Sequence, residues 1–239
     1  MDDMNNIKIA NEVLKQELAG LSRVQKSFDK EFEKAVLLVA KTKGRVLLSG
    51  LGKSGLIGRK IAACFSSVGI PSFFIHPVEA VHGDLGSFEK DDILIALSNS
   101  GNTEEMKSIV AFCEKHKIKS ISITGNRKSF LATNCDINIV MDVQNEAIKD
   151  YPVPTTSCIM TLAVADALTA CVLKHKNFSK ELYSEYHSGG SIGKTMRKIL
   201  RNGKNFSKIK QHKSNKSINK KYENKRVKGS NIGKRIKRK

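Results

Sequence analysis

Apolar side chains recur at steps of three and four from about Ile7 to Ala40, through Val13, Leu14, Leu18, Leu21, Val24, Phe28, Phe32, Val36 and Leu37. That period predicts one or two amphipathic helices. Further along, the pattern changes. Short apolar runs, RVLLSG, PSFFIH, DILIALS, SISIT and INIVM, alternate with segments of helical period, one through Lys60 to Ser67 and one from about Thr103 to His116. Near-continuous apolar strands alternating with helices predict a parallel sheet covered on both faces. Helices are expected again over Thr156 to His175, with Leu162, Ala163, Ala167, Leu168 and Val172 as the apolar stripe, and over Ser179 to Tyr186.

Charge changes the picture at the C-terminal side. Lys and Arg outnumber Asp and Glu by 19 over the 239 residues, and 18 of that excess falls in residues 194–239. The chain before it is nearly neutral and rich enough in aliphatic residues to bury a core. The predicted organisation is an N-terminal helical segment over 1–42 packing on the core, an α/β domain over 43–193, and a basic low-complexity tail over 194–239. The tail holds too few apolar residues to offset the entropy of ordering it and is expected to be disordered. Its charge would attract nucleic acid unspecifically through phosphate neutralisation; the alternative is a segment without selected function.

Five cysteines stand far apart with no CxxC pair and no Cys/His cluster at metal-ligand spacing, so reduced, mostly buried thiols are the default. The N-terminus lacks a basic region followed by an apolar core, and no apolar run reaches the roughly 18 residues of a membrane span. A cytoplasmic location and no membrane span are expected.

In an open parallel sheet, ligands bind outside the carboxyl ends of the strands. Three loops in that position carry chemistry. The first is Ser49-Gly50-Leu51-Gly52-Lys53-Ser54-Gly55. Its glycines let the backbone approach an anion, the following helix start offers free N–H groups, and Lys53 adds positive charge. A nucleotide-binding P-loop would need glycine at Leu48, which belongs to the strand; a plain glycine-rich turn is the other reading. The second is Ser98-Asn99-Ser100-Gly101-Asn102-Thr103-Glu104-Glu105, whose hydroxyls could clamp phosphate oxygens or simply cap a helix. The third is His76-Pro77-Val78-Glu79-Ala80-Val81-His82-Gly83-Asp84, where two histidines and two carboxylates suit proton transfer, a metal, or structural hydrogen bonds.

The segments GLGKSGLIGRKIA, FFIHPVEAVHGDLG, IALSNSGNTEE, PTTSCIMTLAVADAL and YHSGGSIGK, collinear from about Val46 to Lys194, resemble the KpsF/GutQ group of arabinose-5-phosphate isomerases in the sugar isomerase (SIS) superfamily. The resemblance implies a three-layer αβα sandwich around a five-stranded parallel sheet, assembled as a homo-oligomer, commonly a tetramer. It implies interconversion of D-ribulose 5-phosphate and D-arabinose 5-phosphate, a supply step for the Kdo sugar of lipopolysaccharide, with no required cofactor. A divalent metal, inhibitory or structural, would have His82 as its candidate ligand. By motif, the catalytic candidates are Lys53, Glu105, Glu146 and His187. Gly52, Ser54, Ser98, Ser100, Thr103 and His82 match positions that hold the sugar phosphate. The chain departs from the family in reading His187-Ser188-Gly189-Gly190 where HPGG is usual, and in carrying the lysine-rich tail where many members carry a pair of CBS domains.

These residue types suit the chemistry on their own account. Aldose–ketose isomerisation needs a general base for the migrating proton, donors for the developing oxyanion, and a group acting on the sugar oxygens. Glu146 or Glu105 is the expected carbon base, His187 the acid–base on oxygen, and Lys53 the neutraliser of phosphate or enediolate charge. A sugar-phosphate sensor that performs no chemistry, or an isomerase for another phosphosugar, are the competing readings.

Overall fold

The computed structural model describes residues 5–202. The described residues divide into two compact units, 5–178 and 179–202.

In the first unit, the long N-terminal apolar pattern resolves into two helices, α1 (Asn6–Ser27) and α2 (Lys30–Lys41). Asp29 divides them. Its carboxylate accepts from the N–H groups of Glu31 and Phe32 and caps α2, which a helix running straight through Asp29 would not allow. The sheet follows: β1 (Val46–Gly50), α3 (Gly52–Ser67), β2 (Ser72–Phe74), α4 (Pro77–Val81), a 3-10 helix (Asp84–Ser87), β3 (Ile93–Ser98), α5 (Glu104–His116), β4 (Lys119–Thr124), α6 (Phe130–Asn134), β5 (Ile137–Val140) and α7 (Thr156–Lys176).

All strand pairs are parallel, in the order β2-β1-β3-β4-β5. β2 lies on one side of β1, and β3, β4 and β5 lie on the other. Right-handed crossovers therefore put α3 on one face and α5 and α6 on the opposite face, the three-layer arrangement expected. On the second face Leu94 and Ala96 pack with Met106, Ile109, Val110, Cys113 and Leu131. On the first, α3 packs on β1 and β2, and α7 packs on α1, α2 and α3. β1, β3 and β4 are buried almost throughout, as their unbroken apolar character requires.

α3 begins eight residues earlier than the apolar period suggested. Gly55 and Gly58 hide its first turns from the pattern, yet both are needed there. A Cβ on Gly55 would sit 2.4 Å from the Gly50 carbonyl oxygen, and one on Gly58 would sit 3.0 Å from the Phe74 ring. α4, in a segment read as loop, is started by Pro77 at its first position.

The expectation of no membrane-length apolar segment needs correction. α7 is long and apolar enough to cross a membrane by length and composition, with a mean hydropathy of 1.8. In this fold it is a packed helix whose Met160, Val164, Leu168 and Val172 are buried.

In the second unit α8 (Lys180–Tyr186) is followed by a helical stretch over 190–202. The boundary drawn at Gly193 from charge falls within that stretch. Residues 194–202 are helical, with Ile192, Met196 and Ile199 as a local apolar period that net charge concealed. The rest of the expected tail, with its proposed nucleic-acid contact, lies outside the described residues.

Candidate functional site

The order of the strands reverses between β1 and β3, and the crevice at such a reversal opens between the loops that leave the two strands. Gly50 is in register with Leu97, so the glycine-rich loop after β1 and the hydroxyl-rich loop after β3 start side by side. Gly50 is small for a reason: a Cβ there would meet the Leu97 carbonyl oxygen at 2.9 Å. Leu48 is a fully buried strand residue, which excludes the P-loop reading.

In the first loop, Gly52 takes a φ of +58° and α3 starts at once, with Lys53 exposed and Ser54 half-buried in its first turn. No side chain caps this helix, so its leading N–H groups face the crevice with the lysine. In the second loop, Gly101 has a φ of +67° and lies against Ser129, where a Cβ would come within 2.0 Å of the hydroxyl. The tight turn gathers three hydroxyls. Ser98 Oγ lies 3.0 Å from Thr103 Oγ1 and 3.4 Å from Ser100 Oγ, and accepts from the Gly101 N–H at 3.0 Å. Thr103 occupies the N-cap position of α5 without capping it. Its hydroxyl turns to Ser98 instead, against the plain-cap reading of this loop.

Glu146 approaches from the segment between β5 and α7. Its Oε2 accepts from the Thr155 N–H at 2.8 Å, the Thr155 hydroxyl at 3.2 Å and the Ser157 N–H at 3.2 Å. Burial by itself would raise its carboxyl, but the Ser157 side chain and the N–H groups of Thr155 and Ser157 outweigh burial and hold it below the ordinary glutamate value. The group is an ionised carboxylate at neutral pH. A cavity of about 230 Å³ joins these pieces; its walls include Ser54 from α3, Asn99 from the second loop, Glu146, and Ser157 and Cys158 from α7. Burial pushes the Cys158 thiol up, Glu146 adds to this, and Ser157 and the Lys53 ammonium oppose it. Lys53 and Glu146 thus act on one thiol in the cavity wall. Two larger clefts, of about 530 and 430 Å³, lie between α1 and residues 144–152; only the first touches Glu146, and neither reaches the loops after β1 and β3. Chemistry rather than size selects the smaller cavity.

The remaining candidates are placed differently. Glu105 is the second residue of α5, half-buried and outside the cavity wall, while its neighbour Glu104 pairs with Lys107 at 2.6 Å. His82 is exposed at the end of α4, and among the described residues no three His, Cys, Asp or Glu side chains converge as metal ligands. His187 belongs to the second unit. There its Nδ1–H donates to the Tyr183 carbonyl at 2.9 Å and its ring stacks on Tyr183, which leaves Nε2 to accept in the neutral form. Asn99, Cys158, Thr155 and Ser157 were not singled out in the sequence. The run Thr155-Thr156-Ser157 ahead of an apolar helix was the available signal, a hydroxyl-rich helix start.

The SIS domain family matches residues 38–170, more than half of the chain. The chain belongs to the SIS-domain family. The chain is 38% identical over 213 residues to the arabinose 5-phosphate isomerase KdsD of Francisella tularensis, covering 86% of this chain and 65% of that one. It is 43% identical over 166 residues to KdsD of Pseudomonas aeruginosa, covering 70% and 51%. The chain thus spans less than two thirds of the length of these relatives. Among solved structures, an Escherichia coli CFT073 protein in complex with arabinose 5-phosphate superposes with a TM-score of 0.74 at 36% identity, covering 78% of this chain and all of the other.

Proposed function

We propose that this chain is an aldose–ketose isomerase that interconverts D-ribulose 5-phosphate and D-arabinose 5-phosphate. The observation that carries the reading is that the uncapped helix start bearing Lys53 and the three-hydroxyl turn leave adjacent strands, and that a cavity walled by Ser54 and Asn99 from these two loops is also walled by the ionised Glu146. The first two recognise a phosphate dianion. A purely binding site has no use for the third, and this weighs against the sensor reading.

In this reading Ser54, Ser98, Ser100 and Thr103, with the N–H groups around Gly52 and Gly101, hold the phosphate. Glu146 takes the proton from C1 of the ketose. The resulting enediolate is protonated at C2 while a hydroxyl proton passes from O1 to O2, giving the aldose, with Lys53 balancing the developing charge; the acid–base role on oxygen is assigned to His187 from its motif alone. Glu105, in the first turn of α5 beside the three-hydroxyl turn, is the other candidate for the carbon base. The reaction would run in the cytoplasm, where its product suits construction of the longer sugar acids of surface polysaccharide.

We also infer that the chain works as a homo-oligomer. Ile7, Leu14 and Leu18 on α1 are 76%, 56% and 64% exposed, an apolar stripe that a monomer would leave in water.

Incubation of the protein with D-ribulose 5-phosphate, with and without chelator, tests the activity by the appearance of D-arabinose 5-phosphate in NMR spectra. Glu146→Gln is expected to abolish it. Binding of the phosphate ester with no turnover in the unsubstituted protein would select the sensor reading.

A further inference from the structure

The bonds around Glu146 run in one direction. The Ala147 N–H donates to Thr155 Oγ1 at 2.9 Å, so the Thr155 hydroxyl is occupied as an acceptor and its own proton is free to point onward. It points to Glu146 Oε2, at 3.2 Å. The Thr155 and Ser157 N–H groups, the first turn of α7, close on the same oxygen. Three hydrogen bonds thus converge on Oε2 and none of the three on Oε1, while the Ser157 hydroxyl adds a further stabilising contact to the carboxylate. The carboxylate caps α7 from nine residues upstream of the helix's own N-cap residue, whose side chain makes no capping bond to its helix.

From this geometry we propose that Thr155 and Ser157 are positioning residues of the isomerase site, anchoring Glu146 through Oε2 so that Oε1 is the atom presented to the substrate carbon. The anchoring does two things. It stops rotation of the carboxyl group, so one lone pair is aimed into the cavity that Glu146, Ser157 and Cys158 share. It also keeps the group an acceptor, because protonation of Oε2 would set the proton against three donors. The base is thereby ionised before substrate arrives. The Ala147 bond ties the same anchor to residues 144–152, which line the larger cleft beside Glu146, so the wall next to the base and the base itself are set by one hydroxyl.

The inference rests on the isomerase reading for its catalytic meaning, and the experiment separates the two. In the full chain labelled with ¹³C at the glutamate carboxyl carbon, the Glu146 resonance is assigned by its loss in Glu146→Gln and titrated by NMR. Thr155→Val, which removes the hydroxyl and keeps the N–H, is expected to move the titration midpoint up by about one pH unit. Thr155→Ser restores it. The acid limb of kcat/KM for D-ribulose 5-phosphate moves by the same amount, and its plateau falls. A lower plateau with an unmoved limb and an unmoved midpoint is the result of a merely structural threonine and overturns the proposal. Should Thr155→Val fail to fold, Ser157→Ala, which also keeps its N–H, is read the same way: upward supports, unmoved overturns. A chain inactive on D-ribulose 5-phosphate in its unsubstituted form removes the isomerase reading and leaves the carboxyl titration to decide the anchoring.

Discussion

At the scale of single residues, the two left-handed glycines of the candidate site do different work. Gly52 has a φ of +58° and open space where a Cβ would go, so Gly52→Ala should cost only the backbone strain, about 1–2 kcal/mol in denaturant unfolding. Gly101 has the same kind of φ but its Cβ would collide with Ser129, so Gly101→Ala should cost more, above about 3 kcal/mol. Ser98→Ala leaves the buried Gly101 N–H without its acceptor, an expected loss of about 1–3 kcal/mol, together with weaker binding of D-ribulose 5-phosphate by calorimetry. The glycines and hydroxyls of both loops were legible because the loops are local in sequence. The behaviour of Thr103 was not. A threonine before two glutamates has the form of a cap, and only the folded turn, which brings Ser98 to 3.0 Å, shows its hydroxyl turned elsewhere.

At the scale of elements, strands were legible as apolar runs and helices as periods, with failures where a second demand acted on the same residues. α3 was read short because Gly55 and Gly58 serve close packing rather than helix propensity. α7 is apolar nearly all round, so its buried side could not be read; Leu168 and Val172 are buried, whereas Leu162, Ala163 and Ala167 of the expected stripe are only partly so. β1 and β3 are tied at their starts by Asp92, which accepts from the Arg45 N–H, Nε and Nη2 and from the Glu89 N–H. Burial by itself would raise this carboxyl, but the Arg45 side chain and the two N–H groups hold it below the usual carboxylate range. A carboxyl held low in the folded state contributes stability that is complete above the unfolded value of about pH 4 and is lost as pH falls through the folded value. Asp136, lowered against burial by Lys119 and Ser120, adds to the same window between β4 and β5. Asp92→Ala should therefore cost about 1–3 kcal/mol at neutral pH by leaving the Arg45 and Glu89 N–H groups without their acceptor, and Asp92→Asn should flatten the acid limb of stability measured by chemical unfolding from pH 7 down to 2.

At the scale of the whole molecule, the exposed stripe on α1 makes a separable prediction. Leu14→Glu combined with Leu18→Glu changes side chains that touch little of their own chain, so far-ultraviolet circular dichroism should stay as in the unsubstituted protein while sedimentation velocity shows a smaller species. The sequence by itself determined the class of fold, the parallel sheet, the glycine- and hydroxyl-rich loops and the candidate Glu146, because each rests on chemistry within a dozen residues or on an ordered set of motifs. What tertiary structure decided is which of these meet. Loops some fifty residues apart stand together because the strand order reverses between β1 and β3. Glu146 is anchored by Thr155 and Ser157 because the chain after β5 folds back onto the start of α7. A base is defined by the atom it faces, and that is set by packing across the sheet rather than by position along the chain.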